Sequence, residues 1–329
     1  MNISIAMCTY NGELYLEEQL DSIRHQTRLP DELIVCDDAS QDGTFTILKK
    51  FKNKAEFTVT LLRNEKNIGS NANFAKAIQQ CSGDLIFLAD QDDYWLPQKT
   101  ETIVKAFQNN PEIGMVFTDA IVTDKNLRPY PYSCGLWENV GFDLHYQKLL
   151  WAEEPWLVFS RKSIVTGATM AFRAKWKDIF PPIPNLWVHD EWFAFVLSLV
   201  CPFDFLADKL MYYRLHPKQQ IGVNIRSSQH SIFTRLRKVI FPEGHRRKCS
   251  KRIRHMDEAL LYIGTLQAYL LNPDSLSHLQ NQLAHWKSRI SLKGSPLNRL
   301  ATIREEIRLG RYKQYSGSNS MALKDFIEF

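Results

Sequence analysis

A short apolar run that ends in a cluster of acids constrains this chain more than any other stretch. Residues 85–88 are continuously apolar, which is typical of a strand buried on both faces. Asp90, Asp92 and Asp93 follow at once. Because three carboxylates so close together repel one another, we expect a divalent cation among them, and Mg²⁺ or Mn²⁺ prefers such oxygen ligands. A polar loop that caps a helix starting near Pro97 is the alternative interpretation.

Apolar runs and amphipathic helical stretches alternate along the first 120 residues. The helix after the first run is expected to bury Leu14, Leu16, Leu20 and Ile23 on one face. This alternation, with strands apolar on both faces, predicts an α/β fold with a mostly parallel sheet and helices on both faces. The predicted strands are residues 3–8, 33–36, 58–62, 85–88 and 113–117.

Polar clusters follow three of these strands where each strand ends. They are residues 9–11, the pair Asp37 and Asp38, and residues 90–93. Ligands of parallel sheets bind outside the carboxyl ends of the strands, so the clusters predict a binding site at that edge. The chain has no GxGxxG after the first strand and no GxxxxGK[ST], which argues against a dinucleotide or P-loop site.

The next hundred residues continue the α/β pattern less regularly. Residues 125–165 are rich in Pro, Tyr and Trp and predict a long functional loop. Beyond it we expect a strand over 167–172, a helix beginning at His189 and a strand over 209–216. Trp151, Trp156 and Trp187 could stack on sugar rings or pack in the core.

Charge divides the chain into two parts. Residues 1–226 hold 23 Lys and Arg against 28 Asp and Glu, whereas residues 227–329 hold 18 against 8 and are helical in pattern. We therefore predict a domain boundary there, between a mixed α/β domain over 1–226 and a basic helical region over 227–329. Within that region three helical faces are predicted: Met256, Leu260 and Ile263; Leu276, Leu279, Leu283, Trp286 and Ile290; and Leu297, Leu300, Ile303 and Ile307, before a stop at Gly310.

Composition points to the cytoplasm. No apolar run approaches the length of a membrane span, and no signal peptide precedes the first strand. The six cysteines are scattered and form no CxxC pair, as expected of buried thiols in a reducing compartment.

Several motifs in order resemble family 2 glycosyltransferases of the GT-A fold, above all the bacterial rhamnosyltransferase-like branch. They are TYNG, DDASQDGT, NIGSNANFAKAI, ADQDDYWLPQK, TGATMAF, HDEW and YYRLH, which together cover roughly residues 1–222. The resemblance implies an inverting transfer of a sugar, possibly rhamnose, from a dTDP- or UDP-sugar to a cell-surface polysaccharide or a lipid-linked saccharide. It also implies a divalent metal and a GT-A catalytic domain over 1–226, with a nucleotide-sugar half over about 1–120 and an acceptor half over about 121–226.

The resemblance assigns roles to ten residues. It implies that Asp92 binds the metal, that Asp90 and Gln91 lie near the ribose, and that Thr9, Asn11 and Asn67 belong to the donor site. Asp38 matches the carboxylate that accepts the imino proton of uracil or thymine, and Tyr10 matches the aromatic beside the base.

The last two residues have structural alternatives. Asp190 matches the catalytic base, although it could instead cap its helix. His216 matches a histidine that approaches the metal or the pyrophosphate, although a structural role at a strand edge is an alternative. Asp93 could likewise cap the following helix.

Two other functions remain open at this point. A sugar nucleotidyltransferase would carry a Gly-rich, Arg-containing loop after the first strand, and residues 9–12 are not such a loop. The basic tail raises a nucleic-acid-binding function, but it contains no recognisable RNA- or DNA-binding module, so no nucleic-acid partner is expected.

The basic tail suggests a membrane partner instead. Residues 235–254 hold nine Lys and Arg and one acid, with Phe and Leu among them. Such a segment predicts peripheral contact with the anionic inner face of the cell membrane, and a solvated helix face is the alternative.

Overall fold

One sheet of eight strands dominates the computed structural model, which describes residues 1–131, 135–152, 155–180, 182–217, 219, 243–292, 295–316 and 318–328. Contacts between backbones divide the chain into two compact units, Met1–Arg226 and Ser227–Phe329. The strands of the first unit are β1 Ile3–Thr9, β2 Glu32–Asp37, β3 Thr58–Arg63, β4 Leu85–Ala89, β5 Tyr94–Trp95, β6 Met115–Thr123, β7 Met170–Arg173 and β8 Phe203–Arg214.

The strand order places the polar clusters together. The order is β3-β2-β1-β4-β7-β6-β8-β5, and the first four strands are all parallel. β7 is antiparallel to both β4 and β6, β6 and β8 are parallel, and β5 is antiparallel to β8. The predicted mostly parallel α/β sheet is confirmed, and the ends of β1, β2 and β4 share one edge.

Helices pack around this sheet because their apolar stripes match its faces. Leu16, Leu20 and Ile23 of the first helix join the buried core formed by alternate residues of β1, such as Ile5 and Met7. The expectation for Leu14 is wrong, because it precedes the helix and is 60% exposed. The helices are α1 Leu16–Arg24, α2 Thr44–Lys52, α3 Ser70–Gln79, α4 Lys99–Asn109, α5 Leu136–Val140, α6 Leu144–Ala152, α7 Pro155–Phe159 and α8 His189–Val200.

Three predictions for residues 125–216 are corrected. The segment 125–165 contains the short helices α5, α6 and α7, whose buried aromatics make it part of the core. The predicted strand over 167–172 begins as a 3-10 turn at Gly167–Thr169, and only Met170–Arg173 pairs in the sheet. The last strand starts earlier than predicted and stops at Arg214, so His216 lies just beyond it.

The second unit is helical, as predicted. Its helices are α9 Glu243–Ile263, α10 Ser275–Ile290, α11 Pro296–Arg308, α12 Arg311–Ser316 and α13 Ser320–Glu328. Met256, Leu279 and Trp286 are buried, but the face predicted for α11 is wrong, because Leu297 and Ile307 are exposed and only Ile303 of that face is buried. Gly310 separates α11 from α12 with a positive φ of 69°, a conformation that favours glycine.

Charged groups occupy the interior of the helical unit. Arg289 of α10 binds Asp325 of α13 through two hydrogen bonds of 2.6 and 2.9 Å, and Tyr312 donates to the same carboxylate. His285 contacts Glu306 at 2.6 Å. Removing one partner of a buried ion pair typically costs about 3–5 kcal/mol, so this network fixes how α10 and α13 pack.

Much of the basic segment 235–254 lies outside the part of the chain that the structure describes. Residues 235–242 lie outside the described residues, as do the side chains of Arg246, Arg247 and Lys248. Among the residues that the structure describes, no helix is both long and apolar enough to cross a membrane.

Candidate active site

A cavity of about 300 Å³ opens at the carboxyl ends of β1, β2 and β4. Eight of the ten predicted site residues line it: Thr9, Tyr10, Asp38, Asn67, Asp90, Gln91, Asp92 and Asp190. Asn11 and His216 line an adjoining cavity of about 510 Å³, which shares Tyr10 and Gln91 with the first. The chain therefore brings together residues that are far apart in sequence.

Asp38 holds the loop that leads into α3. Its carboxylate accepts hydrogen bonds from the backbone N–H groups of Ile68 and Gly69, at 2.8 and 2.9 Å, and from the side-chain amide of Asn64 at 2.8 Å. Gly69 adopts a positive φ of 83°, which lets this turn present both amides. Asn67, one residue before this turn, is thereby fixed at the rim of the cavity.

Gln91 links two loops of the site. Its side-chain carbonyl accepts from the N–H of Tyr10 at 2.8 Å, and its amide donates to the carbonyl of Tyr10 at 3.0 Å. A Cβ on Gly12 would lie 2.1 Å from the same carbonyl oxygen, so only glycine fits beneath this link. The amide of Gln91, predicted to lie near a ribose, is thus engaged with the loop after β1.

Burial and mutual repulsion disfavour the ionised forms of the acids after β4. Burial, with the nearby charges of Asp92 and Asp190, raises the pKa of Asp90 to about 7. Burial, with the nearby charges of Asp92 and Asp90, raises the pKa of Asp93 well above its usual value. The alternative in which Asp93 caps α4 is wrong, because Gln98 occupies that N-cap position. Asp93 instead accepts a hydrogen bond from the N–H of Arg214, and its second oxygen has no partner among the described residues.

A buried ammonium group partly offsets these acids. Lys99 is fully buried, donates to the carbonyl of Ala168 at 2.5 Å and lies 3.8 Å from the centroid of the Trp95 ring. Burial lowers its pKa to about 7, and the charges of Asp93 and Asp90 oppose that shift. Ala168 lies in the turn that contacts Asp190, so Lys99 connects the acidic cluster with that turn.

Asp92 and His216 meet at the mouth of the site. The Asp92 carboxylate lies 2.7 Å from Nε2 of His216, and both side chains are largely buried. Gln219 shapes the turn between β8 and this histidine, because it accepts from the N–H of His216 and donates to the carbonyl of Arg214. Lys218 and Gln220 lie outside the described residues.

These two side chains fit a divalent cation. A carboxylate oxygen and an imidazole nitrogen are both ligands of Mn²⁺, and oxygen ligands suit Mg²⁺ as well. Within the described ranges, no group of three or more His, Cys, Asp or Glu side chains forms a complete metal site. A cation held here would therefore need further ligands from a bound molecule.

Asp190 lies in the first turn of α8 with its carboxylate fixed on both oxygens. Oδ2 accepts from the N–H of Gly167 at 3.0 Å, and Oδ1 accepts from the N–H of Glu191 at 2.7 Å. The capping alternative is wrong, because Val188 occupies the N-cap position. An oriented carboxylate at the cavity wall can accept a proton from a bound hydroxyl.

Among the described residues, none of the three tryptophans that could have stacked on sugar rings lines either of these two cavities. Trp156 and Trp187 are buried, Trp187 stacking on Phe195 at 5.2 Å. Trp151 is 75% exposed and stacks on Phe205. The apolar lining comes instead from Phe74, Val140, Val165 and Val188.

Comparisons with known proteins identify the family. The profile of Glycosyl transferase family 2 matches residues 4–176, more than half of the chain. The chain is 26% identical over 228 residues to the dTDP-rhamnosyl transferase RfbG of Shigella flexneri, which covers 67% of this chain and 74% of that protein. It spans less of other curated relatives, 43% of the length of one and 65% of another.

Solved structures confirm the GT-A type fold. TarS 1-349 of S. aureus in complex with UDP-GlcNAc aligns with a TM-score of 0.53 and 20% identity over 100% of this chain and 81% of that one. The mannosyltransferase PcManGT of Pyrobaculum calidifontis, in complex with GDP-Man and Mn²⁺, aligns with a TM-score of 0.51 and 17% identity over 99% and 85%.

Replacing Asp90 by Asn is expected to stabilise the metal-free protein, because the folded state carries a carboxyl with a pKa of about 7 whereas the unfolded chain ionises near its ordinary value of about 3.9. As pH rises from 4 to 7, the unfolded state loses this proton first, so wild-type stability falls. The gain of Asp90→Asn in melting temperature should therefore grow over that window and level off above pH 7.

The control is Asp178→Asn, which removes an exposed carboxylate. Melting curves at several pH values in EDTA provide the measurement. If the difference in melting temperature between Asp90→Asn and wild type is the same at every pH, Asp90 is not held in a destabilising environment.

Proposed function

This chain belongs to glycosyltransferase family 2, and we propose that it transfers a sugar from a nucleoside-diphosphate donor to a saccharide acceptor with inversion. The observation that carries the proposal is one cavity that joins Asp38, Asp92 and Asp190 at the end of a parallel sheet. In this reaction Asp38 would bind the nucleotide, and Asp92 would bind the diphosphate through a metal ion. Asp190 would accept the proton of the acceptor hydroxyl.

The nucleotide of a dTDP- or UDP-sugar is assigned to the side of the cavity formed by β1 and β2. Tyr10 is 46% exposed and offers a ring face to a pyrimidine base. Asp38 is held by three donors, and each carboxylate oxygen has two lone pairs, so it can also accept the imino proton of uracil or thymine. Thr9, Asn11 and Asn67 complete the proposed donor site.

Asp92 and His216 are proposed to hold Mn²⁺ or Mg²⁺ together with the donor diphosphate. Such a cation would stabilise the negative charge that develops on the leaving diphosphate. Two observations support this assignment: the 2.7 Å approach of the two side chains and the raised pKa of Asp90 beside them. The related fold of PcManGT was solved with Mn²⁺ and GDP-Man.

Asp190 is proposed to act as the base. It would accept the proton of the acceptor hydroxyl as that oxygen bonds to the anomeric carbon and the bond from this carbon to the diphosphate breaks. Attack from the face opposite the leaving group inverts the anomeric centre. The bonds from Gly167 and Glu191 keep the carboxylate in one orientation for this step.

A 6-deoxy sugar such as rhamnose suits the lining near Asp190. Val188 is two residues before this aspartate, and Val165 is two residues before the Gly167 that binds it. An apolar wall accepts a methyl group at C6, whereas a hydroxymethyl group there would lose hydrogen bonds to water. The similarity to RfbG, a dTDP-rhamnosyl transferase, agrees with this choice.

The acceptor is proposed to be a cell-surface polysaccharide or a lipid-linked saccharide, met in the cytoplasm at the inner face of the membrane. The basic segment 235–254 would bring the enzyme there, since each Lys or Arg near an anionic surface adds about 1 kcal/mol of attraction.

A donor screen tests the proposed function. Purified protein should release dTDP from dTDP-rhamnose faster than UDP from UDP-glucose, in the presence of Mn²⁺ and acceptor. Asp92→Ala and EDTA should each abolish release, because the charge on the leaving diphosphate loses its stabilisation. Asp190→Asn should keep donor binding and slow transfer about a hundredfold or more.

Three results would contradict the proposal. Full turnover in EDTA would exclude the metal, and wild-type kcat in Asp190→Asn would exclude the base. Formation of a nucleotide sugar from a nucleoside triphosphate and a sugar phosphate would point to a nucleotidyltransferase.

Co-sedimentation with anionic vesicles tests the membrane contact. Wild-type protein should bind at low salt and dissociate as salt shortens the Debye length. Replacing Arg246, Arg247, Lys248, Lys251 and Arg252 by Gln should abolish binding and leave transfer to a soluble acceptor unchanged.

The matched control removes five exposed lysines of the catalytic unit: Lys49, Lys50, Lys52, Lys54 and Lys66. This control should still sediment with the vesicles. Equal sedimentation of both variants would show that net charge, and not the basic tail, determines binding. Tighter binding to DNA than to vesicles would instead support the nucleic-acid alternative.

A further inference from the structure

Arg214 connects three segments from the interior of the catalytic unit. Its side chain is only 2% exposed. Nε donates to the backbone carbonyl of Asp92 at 2.6 Å, and the two terminal nitrogens donate to the carbonyl of Lys125 at 2.8 Å and to the carboxylate of Glu18 at 2.5 Å. One guanidinium therefore ties the loop after β4 to the segment after β6 and to α1.

The Arg214 side chain also supports His216, through the aromatic ring of Tyr15. The Arg214 guanidinium lies over Tyr15, 4.6 Å from the ring centroid, and Tyr15 in turn contacts the His216 ring at 4.6 Å. The backbone N–H of Arg214 donates to Asp93, so the chain is fixed to the acidic loop on this side as well. Both members of the Asp92–His216 pair are thus positioned from one residue.

The geometry requires arginine. A planar guanidinium directs several donors at fixed angles, whereas the ammonium of lysine is a compact charge on a flexible stem. A lysine at this position could neither reach three segments at once nor stack on Tyr15 in the same way. Sequence reasoning missed this role because two of the three acceptors are backbone carbonyl groups, which leave no residue pattern.

We propose that Arg214 is the positioning residue of the metal pair, and that it holds Asp92 and His216 in the arrangement that a divalent cation requires before the cation arrives. This inference rests on the proposed function, because it assigns the cation to that pair. Removal of a group that orients a metal ligand commonly lowers metal affinity ten- to a hundredfold. Replacement of Arg214 should therefore weaken metal binding.

The test measures Mn²⁺ binding directly, by the electron paramagnetic resonance of free Mn²⁺ during titration in the presence of UDP. Arg214→Lys should raise the apparent Kd for Mn²⁺ about ten- to a hundredfold. Its kcat at saturating Mn²⁺ should return close to the wild-type value, a separation that general misfolding would not produce.

Two further variants make the experiment decisive. Glu18 is 55% exposed and lines neither cavity, so Glu18→Gln should fold normally and raise the Kd several-fold by loosening Arg214. The matched control is Arg173→Lys, because Arg173 likewise binds two backbone carbonyls, of Ile113 and Phe107, outside the site. Its Mn²⁺ affinity should equal that of wild type.

The outcomes distinguish the role of Arg214 from the existence of the metal site. Wild-type Mn²⁺ affinity in both Arg214→Lys and Glu18→Gln would overturn the role of Arg214 while leaving the metal site intact. If Arg214→Lys does not fold, Glu18→Gln alone decides. If the wild-type protein binds no Mn²⁺ with UDP, and Asp92→Ala behaves identically, the proposed metal site fails and the inference fails with it.

Discussion

Repulsion among carboxylates at the end of β4 is the constraint on which the first unit, Met1–Arg226, depends. Asp90, Asp92 and Asp93 follow one strand, and the charge of Asp190 also acts on Asp90. Such a group is unfavourable in a partly buried site unless positive charge or protons compensate it. Two cationic side chains of the described interior lie near this loop: Lys99, whose charge acts on Asp90 and Asp93, and Arg214, which donates to the backbone carbonyl of Asp92.

The two cations differ in what they hold. Lys99 extends from α4 to the turn that binds Asp190, and its lowered pKa reflects the lack of water around it. Arg214 has an exposed carboxylate partner in Glu18 and fixes the backbone of Asp92. Lys99 and Arg214 do not balance the charge of all these carboxylates. We infer that a bound cation balances the rest, which agrees with a site that binds a cation and a diphosphate only together.

Sequence patterns predicted the parts of the fold in which periodicity and burial agree. The apolar runs of β1, β2 and β4 determine both the sheet and the edge where Asp38, Asp92 and Asp190 meet. Periodicity failed at helix ends: Leu14 lies before the first turn of α1, and Leu297 and Ile307 lie on a face of α11 that the described structure leaves exposed. The roles of Arg214 and Lys99 were not predictable, because each depends on a backbone carbonyl that is distant in sequence. The role of Gln219 depends on backbone groups of a local turn, which leave no residue pattern.

We propose that the Asp92–His216 pair and the edge formed by β1 and β2 together bind a metal–nucleotide complex. Anomalous diffraction at the manganese edge, from crystals soaked with Mn²⁺ and either dTDP or UDP, tests it most directly. We expect one manganese peak bound by Asp92, His216 and the diphosphate, with the pyrimidine beside Tyr10 and Asp38. A manganese peak away from this pair, or a nucleotide bound outside the cavity, would contradict it.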